Sequence, residues 1–259
     1  MLPPNDASVN KPLRLIGIVR DSPLASVARV PKERLSGTIL LRKKRWNDVS
    51  KNQSERGKPS ITVLRNGPYR VEGVEDIKDS DGHDLPHEAI TMLCRCGGSR
   101  RKPFCDGSHT KTGFVGEMDP NRAKGEINEY AGKGITIVDN ADVCCRDRSC
   151  ITGLPQVFET CDPNAAGAED IMATIRKCPS GALTYKIGGT HCQDFGREPG
   201  IVVTKNGPLK VVGGICLKDE TGAKPACEEH YTLCRCGGSK NKPFCDGTHA
   251  DIGFRDDGG

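Results

Sequence analysis

The chain has 259 residues, of which 35% are hydrophobic and 4% aromatic, with 31 Gly and 17 Pro; this excludes one large apolar core and favours small units held by something besides packing. Net charge is only +4, from 38 Lys and Arg against 34 Asp and Glu, and no run of about 18 apolar residues marks a membrane span. Fourteen cysteines imply either disulfides in an oxidising compartment or metal ligands in a reducing one. The opening Met1-Leu2-Pro3-Pro4-Asn5-Asp6 has no charged segment followed by an apolar one, so a soluble cytoplasmic protein is expected, with an organelle lumen or matrix as the alternative.

Residues 1–57 read as a basic N-terminal extension. Residues 1–60 hold 13 Lys and Arg against 5 Asp and Glu, peaking at Arg42-Lys43-Lys44-Arg45-Trp46. Its Pro, Ser, Asn and Lys content describes a solvated arm, and its charge would suit an acidic redox partner, nucleic acid or anionic lipid.

Residues 58–118 form the next unit. Ile61-Thr62-Val63, the Asn66-Gly67-Pro68 turn and the run at Val71 predict a hairpin. Asp81-Gly82 marks a further turn before a strand that leads into Cys94. The run from Ser108 to Phe114 is predicted as one or two helical turns, with Asp106 as N-cap and free N–H groups facing an anionic site.

Residues 124–190 differ in character. Ile135 to Val138 predicts a strand, and Ala168 to Lys177 a helix with Ile171 and Ile175 on one face. Cys144, Cys145, Cys150 and Cys161 precede that helix, and Cys178-Pro179 follows it. Clustered cysteines and then a lone Cys-Pro is the layout of a ferredoxin-type site.

Residues 198–259 repeat the first unit at an offset of 140. Ile201, Asn206-Gly207-Pro208, Val211 and Thr221-Gly222 recur in register. So do Cys94, Cys96, Cys105 and His109, as Cys234, Cys236, Cys245 and His249. Three sulfurs and one imidazole conserved between two copies read as two metal sites. On ligand chemistry alone zinc and an iron–sulfur cluster are both open, although C-x-C is tight for two ligands on one zinc ion. Asp246 is the second expected N-cap.

Both segments carry C-x-C-x2-(S/T)-x3-P-x-C-D-G-(S/A/T)-H and so resemble the CDGSH iron–sulfur domains, the mitoNEET-like family, over residues 58–115 and 198–255. The resemblance implies one 2Fe-2S cluster on Cys94, Cys96, Cys105 and His109, and a second on Cys234, Cys236, Cys245 and His249. Ser99 and Ser239 are expected to support the ligands by hydrogen bonds to sulfur, or simply to shape the turn. The middle unit resembles the divergent mono-cluster ferredoxin-like domains, which implies a 4Fe-4S or 3Fe-4S cluster on Cys144, Cys150 and Cys178 with Cys161 or Cys145; Arg146 stands where such sequences often carry His. Single-motif relatives are intertwined homodimers, so the expected fold is α+β: two β-rich repeats pairing as an internal pseudo-dimer in a monomeric chain, with the ferredoxin-like domain inserted.

Four protein ligands fill each repeated site and leave no open position for a substrate. No triad, phosphate loop or paired-carboxylate site is present, so an electron carrier rather than an enzyme is expected, and Gly97-Gly98 is read as allowing close approach to the cluster. One His should place the potential between all-Cys and Rieske centres and make the site sensitive to protons. The expected function is electron transfer or redox- and pH-sensitive cluster storage, with a redox protein as partner. Cluster donation to apo-acceptors is one alternative. A zinc-stabilised nucleic-acid-binding module is another, with nucleic acid the disfavoured partner. Cys192, Cys216, Cys227, His83, His87, His191 and His230 receive no role.

Overall fold

A computed structural model describes residues 58–193 and 195–256; the basic extension expected over 1–57 lies outside the described residues. In the first repeat, β1 (Ser60–Val63) and β2 (Tyr69–Glu72) make the expected hairpin, followed by β3 (Asp76–Asp79) and β4 (Ile90–Leu93). The turn is closed by the Gly67 N–H on the Leu64 carbonyl at 3.0 Å, with Asn66 at φ 46°, a left-handed conformation that Asn tolerates well. The inserted unit supplies β5 (Ile127–Ala131), β6 (Thr136–Asn140), α1 (Ser149–Gly153), α2 (Pro155–Phe158), α3 (Ala168–Ile175), β7 (Leu183–Ile187) and β8 (Thr190–Cys192). The second repeat gives β9 (Gly200–Val203), β10 (Leu209–Val212), β11 (Cys216–Asp219), β12 (His230–Leu233) and α4 (Thr248–Asp251).

The two repeats exchange a strand. One sheet runs β11-β1-β2-β4 and the other β12-β10-β9-β3, so each holds three strands of one repeat and one of its twin. β3 pairs with β9 in parallel, Ile77 opposite Ile201, and β11 pairs with β1, Ile61 opposite Leu217. A strand leaving a tight hairpin cannot return parallel to its own β1 without a long crossover. It reaches the twin's instead.

The exchange creates one core. Ile61, Tyr69, Val71, Ile77 and Leu93 pack with Ile201, Leu209, Val211, Tyr231 and Leu233, every one buried. Neither repeat has enough apolar side chains for a core of its own, and each such residue contributes about 1.5–3 kcal/mol only when buried. The inserted unit has a separate core in which Ile171 and Ile175 of α3 meet Ile137, Val157 and Tyr185, beneath the antiparallel sheet β5-β6-β7-β8. The fold is therefore α+β.

The ligand loops of the two repeats also touch. Cys96 and Cys236 form an isolated antiparallel bridge. Gly97, at φ +75°, lies so close to its neighbour that a Cβ would stand 2.5 Å from the Cys236 carbonyl oxygen, and one on Gly237 would stand 2.4 Å from that of Cys96. The expectation that Gly97 makes room for a cluster is thus corrected: it makes room for the other repeat. The Tyr69 hydroxyl lies 2.8 Å from the Cys234 carbonyl and 2.9 Å from that of Pro243, tying the first hairpin to the second ligand loop.

Gly97→Ala should therefore lower unfolding free energy by about 2–4 kcal/mol, combining left-handed strain with backbone overlap. Gly82→Ala, left-handed at φ +87° but facing open space, should cost about 1 kcal/mol. Urea unfolding of both variants checks the contrast, and equal losses would remove the role given to the crossing.

Candidate metal centres

Each repeated quartet is built from two loop segments. Cys94 and Cys96 follow β4, and their Sγ atoms are 3.9 Å apart; Cys105 Sγ and His109 Nδ1, across the C-D-G-S-H turn, are 3.4 Å apart. In the second repeat the corresponding distances are 3.7 Å and 3.4 Å. Two ligands on one tetrahedral ion with metal–sulfur bonds of about 2.3 Å stand about 3.8 Å apart. Each pair therefore fits one metal ion.

The pairs do not merge into one site. Among the described residues, the groups whose donor atoms all converge within 4.8 Å are Cys227/Glu229/His230 and Asp79/Asp81/His83; no three atoms of either quartet do so. A single tetrahedral ion would draw all four donors to about the 3.8 Å edge length. Two donor pairs, set apart, suit a two-metal cluster.

Backbone N–H groups aim at the sulfurs. Gly98 and Gly107 donate to Cys96 and Cys105 at 3.4 Å each, and Gly238 and Gly247 repeat this for Cys236 and Cys245, also at 3.4 Å. The segments expected as helical turns are short: a single 3-10 turn over Ser108–Thr110, and α4. Asp106 and Asp246 do accept from Ser108 and Thr248 N–H groups at 3.0 Å, but Gly107 and Gly247 occupy the cap positions. Ser99 and Ser239 spend their hydroxyls on the Phe104 and Phe244 carbonyls, at 2.6 Å and 2.7 Å. It is the backbone N–H of Ser239 that faces Cys234.

Burial raises most of these thiols. It pushes Cys96 and Cys105 up, and Cys245 far up with help from neighbouring Cys145. Cys236 shifts the opposite way: a hydrogen bond from the Cys234 thiol brings it down to about 7. Metal loading must therefore expel protons from most of these ligands.

In the inserted unit Cys144, Cys145, Cys150 and Cys178 line one cavity of about 190 Å³; Cys161 does not. Cys161 is exposed at φ 55°. Burial pushes Cys145 up to about 12, and the Leu183 N–H points at Cys178 Sγ from 3.5 Å. All fourteen cysteines are free thiols.

Sequence reasoning missed the arginine inside each C-x-C. Arg235 is almost fully buried and donates to the Gly207 carbonyl at 3.0 Å and that of Thr204 at 2.6 Å, while pairing with Asp256. Arg95 likewise binds the Leu64 and Gly116 carbonyls. Each arginine locks its ligand loop to the turn of its own hairpin. Their exact repetition at the offset was the available signal.

Sequence reasoning also gave Cys227 and His230 no role, yet they meet. Cys227 Sγ lies 3.2 Å and Glu229 Oε2 2.7 Å from His230 Nδ1, and Arg197 binds Glu229 through both carboxylate oxygens at 2.9 Å and 2.6 Å. The guanidinium already occupies, at the Glu229 carboxylate, the place a metal cation would take. Phe195 stacks on the His230 ring at 5.3 Å.

Residues 66–110 and 206–250 match the iron-binding zinc finger CDGSH type, and residues 130–187 match the divergent 4Fe-4S mono-cluster type. No curated protein matches the chain. The chain thus carries two CDGSH-type repeats around a divergent 4Fe-4S mono-cluster domain. No described helix is long and apolar enough to cross a membrane.

His230 supplies a pH test independent of the clusters. Burial, then the Arg197 charge, holds its pKa below 6.5 in the folded state. A depressed His pKa gives stability that is complete above the unfolded value and lost as pH falls through the folded one. Apoprotein stability should therefore fall below pH 6.5 with an extra slope of at most about 1.4 kcal/mol per unit. His230→Gln, which cannot charge, should lack that slope in urea titrations between pH 7 and 5; parallel curves would refute the assignment.

Proposed function

We propose that the chain is a multi-cluster electron carrier holding one 2Fe-2S cluster on Cys94, Cys96, Cys105 and His109, another on Cys234, Cys236, Cys245 and His249, and a 4Fe-4S cluster on Cys144, Cys145, Cys150 and Cys178. The observation that carries this reading is the separation of each quartet into two donor pairs of metal-edge length that do not converge on one ion. It speaks against the zinc-stabilised nucleic-acid module. Four thiols around one cavity favour Cys145 over Cys161, and a cubane over a three-iron cluster.

The clusters would supply one-electron chemistry. The chain's own residues direct sulfur-facing N–H groups at the ligands, which stabilises added negative charge. Ligands that are all protein groups leave no open site, so turnover of a substrate is not expected. Free thiols throughout fit a reducing compartment. The strand exchange within one chain supports a monomer in solution, so light scattering should return the sequence mass of 27.9 kDa.

Anaerobically purified protein should carry about eight iron and about eight acid-labile sulfide per chain. Stoichiometric zinc with little sulfide would end the iron–sulfur assignment. Cys145→Ser should abolish the electron-paramagnetic signal of the middle cluster while Cys161→Ser leaves it; the reverse result would exchange the two thiols.

A further inference from the structure

The two repeats share sequence and fold but present their ligand turns to different surroundings. The inserted domain sits on that of repeat 2. Arg146 forms a two-point ion pair with Asp251, at 3.0 Å and 2.6 Å, and packs so tightly on Gly247 that a Cβ there would meet Arg146 Nε at 2.1 Å. Asn241 donates to the Asp142 carbonyl at 2.9 Å, and Lys210 pairs with Asp147 at 2.9 Å. Cys245 and Gly247 are buried as a result, and Cys145 is close enough to raise Cys245. The visitor on this face is itself a thiol-rich, cluster-type domain.

The same face of repeat 1 is open. Cys105 and Gly107 are only partly buried, and Asp106 is exposed. Two of the positions that grip the inserted domain have changed charge, while Arg70 keeps that of Lys210: Arg101 stands where Asn241 does and Lys111 where Asp251 does, with Arg100 in the place of Lys240 as a third cation. All three are exposed and none forms an ion pair among the described residues. Beside the ligand turn of repeat 2 the visitor's Arg146 meets the anion Asp251. At repeat 1 that position is a cation, Lys111.

We propose that the ligand-turn face of repeat 1, marked by Arg100, Arg101 and Lys111, is the docking surface for an acidic redox protein, which occupies there the place that the inserted domain holds on repeat 2. The proposal rests on the electron-carrier reading and names its partner class. The transfer would move one electron and no atoms: ferrous iron in the reduced partner would become ferric, and one ferric iron of the cluster proposed on the Cys94/Cys96 and Cys105/His109 pairs would become ferrous. A cluster lying under a partly exposed turn suits this, because a partner must bring its own centre close without prying the loop open. Three exposed cations around the turn supply steering that salt screens.

The test uses the full-length, cluster-loaded protein and a reduced, acidic plant-type 2Fe-2S ferredoxin as probe. Association is followed by sedimentation and electron transfer by stopped-flow absorbance, at low and high salt. The triple variant Arg100→Glu, Arg101→Glu, Lys111→Glu should lose at least tenfold in low-salt affinity and transfer rate, and the difference should shrink at high salt. A control reversal at exposed Lys133, Lys177 and Lys224 should stay within about twofold, with all visible spectra unchanged. Equal losses in both variants, or none in the first, would overturn the docking surface. Displacement of the ferredoxin by a stoichiometric DNA duplex would overturn the protein as occupant. Salt-dependent binding with no electron transfer would keep the surface and sink the electron-carrier reading instead.

Discussion

Parallel pairing of β3 with β9 and of β11 with β1 is the constraint on which both outer sites depend, because it forces the two repeats to share a core before either ligand loop can be positioned. A four-stranded sheet with one apolar face and few large side chains is marginal alone. Swapping an edge strand turns two marginal sheets into one packed pair, and Ile61 and Leu93 of the first repeat join Ile201 and Leu233 of the second in one core. The ligand loops then emerge at the seam. Their backbones touch at Cys96 and Cys236, and the arginine inside each C-x-C anchors its own loop to its own hairpin. Rigidity at the metal centres is thus derived from the exchange, with the glycine at each crossing as its most sensitive point.

The two quartets could be picked out from the chain because duplication tests every residue twice: a Cys or His retained at the same offset is marked as a candidate ligand, while one that changes is not. The paired hairpins were legible for the same reason, and Asn-Gly-Pro fixes their turns. The exchange itself left no local trace, since the residues of β3 would suit either edge and only the relation to a family of intertwined dimers pointed to it. Cys145 and Cys161 could not be separated along the chain because spacing says nothing about which thiol a loop turns inward. The left-handed residues Arg146 and Arg148 tighten the 144–150 segment so that Cys144, Cys145 and Cys150 all reach one cavity. Helical structure after each C-D-G stops at one turn, the lower end of the expectation, and Gly107 and Gly247 in left-handed geometry place single N–H groups on sulfur. The basic extension, by contrast, is a matter of composition only.

Places where the repeats differ explain how an internal pair escapes symmetry. His87 in repeat 1 has its ring nitrogens 2.7 Å and 3.2 Å from the Leu85 and Val74 carbonyls, contacts that stay within that repeat. Its counterpart, Cys227, is small and fully buried, and a Cβ on Gly181 of the inserted domain would come within 2.6 Å of its own Cβ. An imidazole there would hold the inserted domain away. Gly116 in repeat 1 likewise becomes Asp256 in repeat 2, which turns a carbonyl contact of Arg95 into the buried ion pair of Arg235. These two changes on the second copy admit the inserted domain and stiffen the loop beneath it. The second copy's ligand turn faces an internal neighbour through Asp251, whereas the first copy, with Lys111 at that position, keeps the turn open to the outside, and the reversal of charge fits a division of labour between the two.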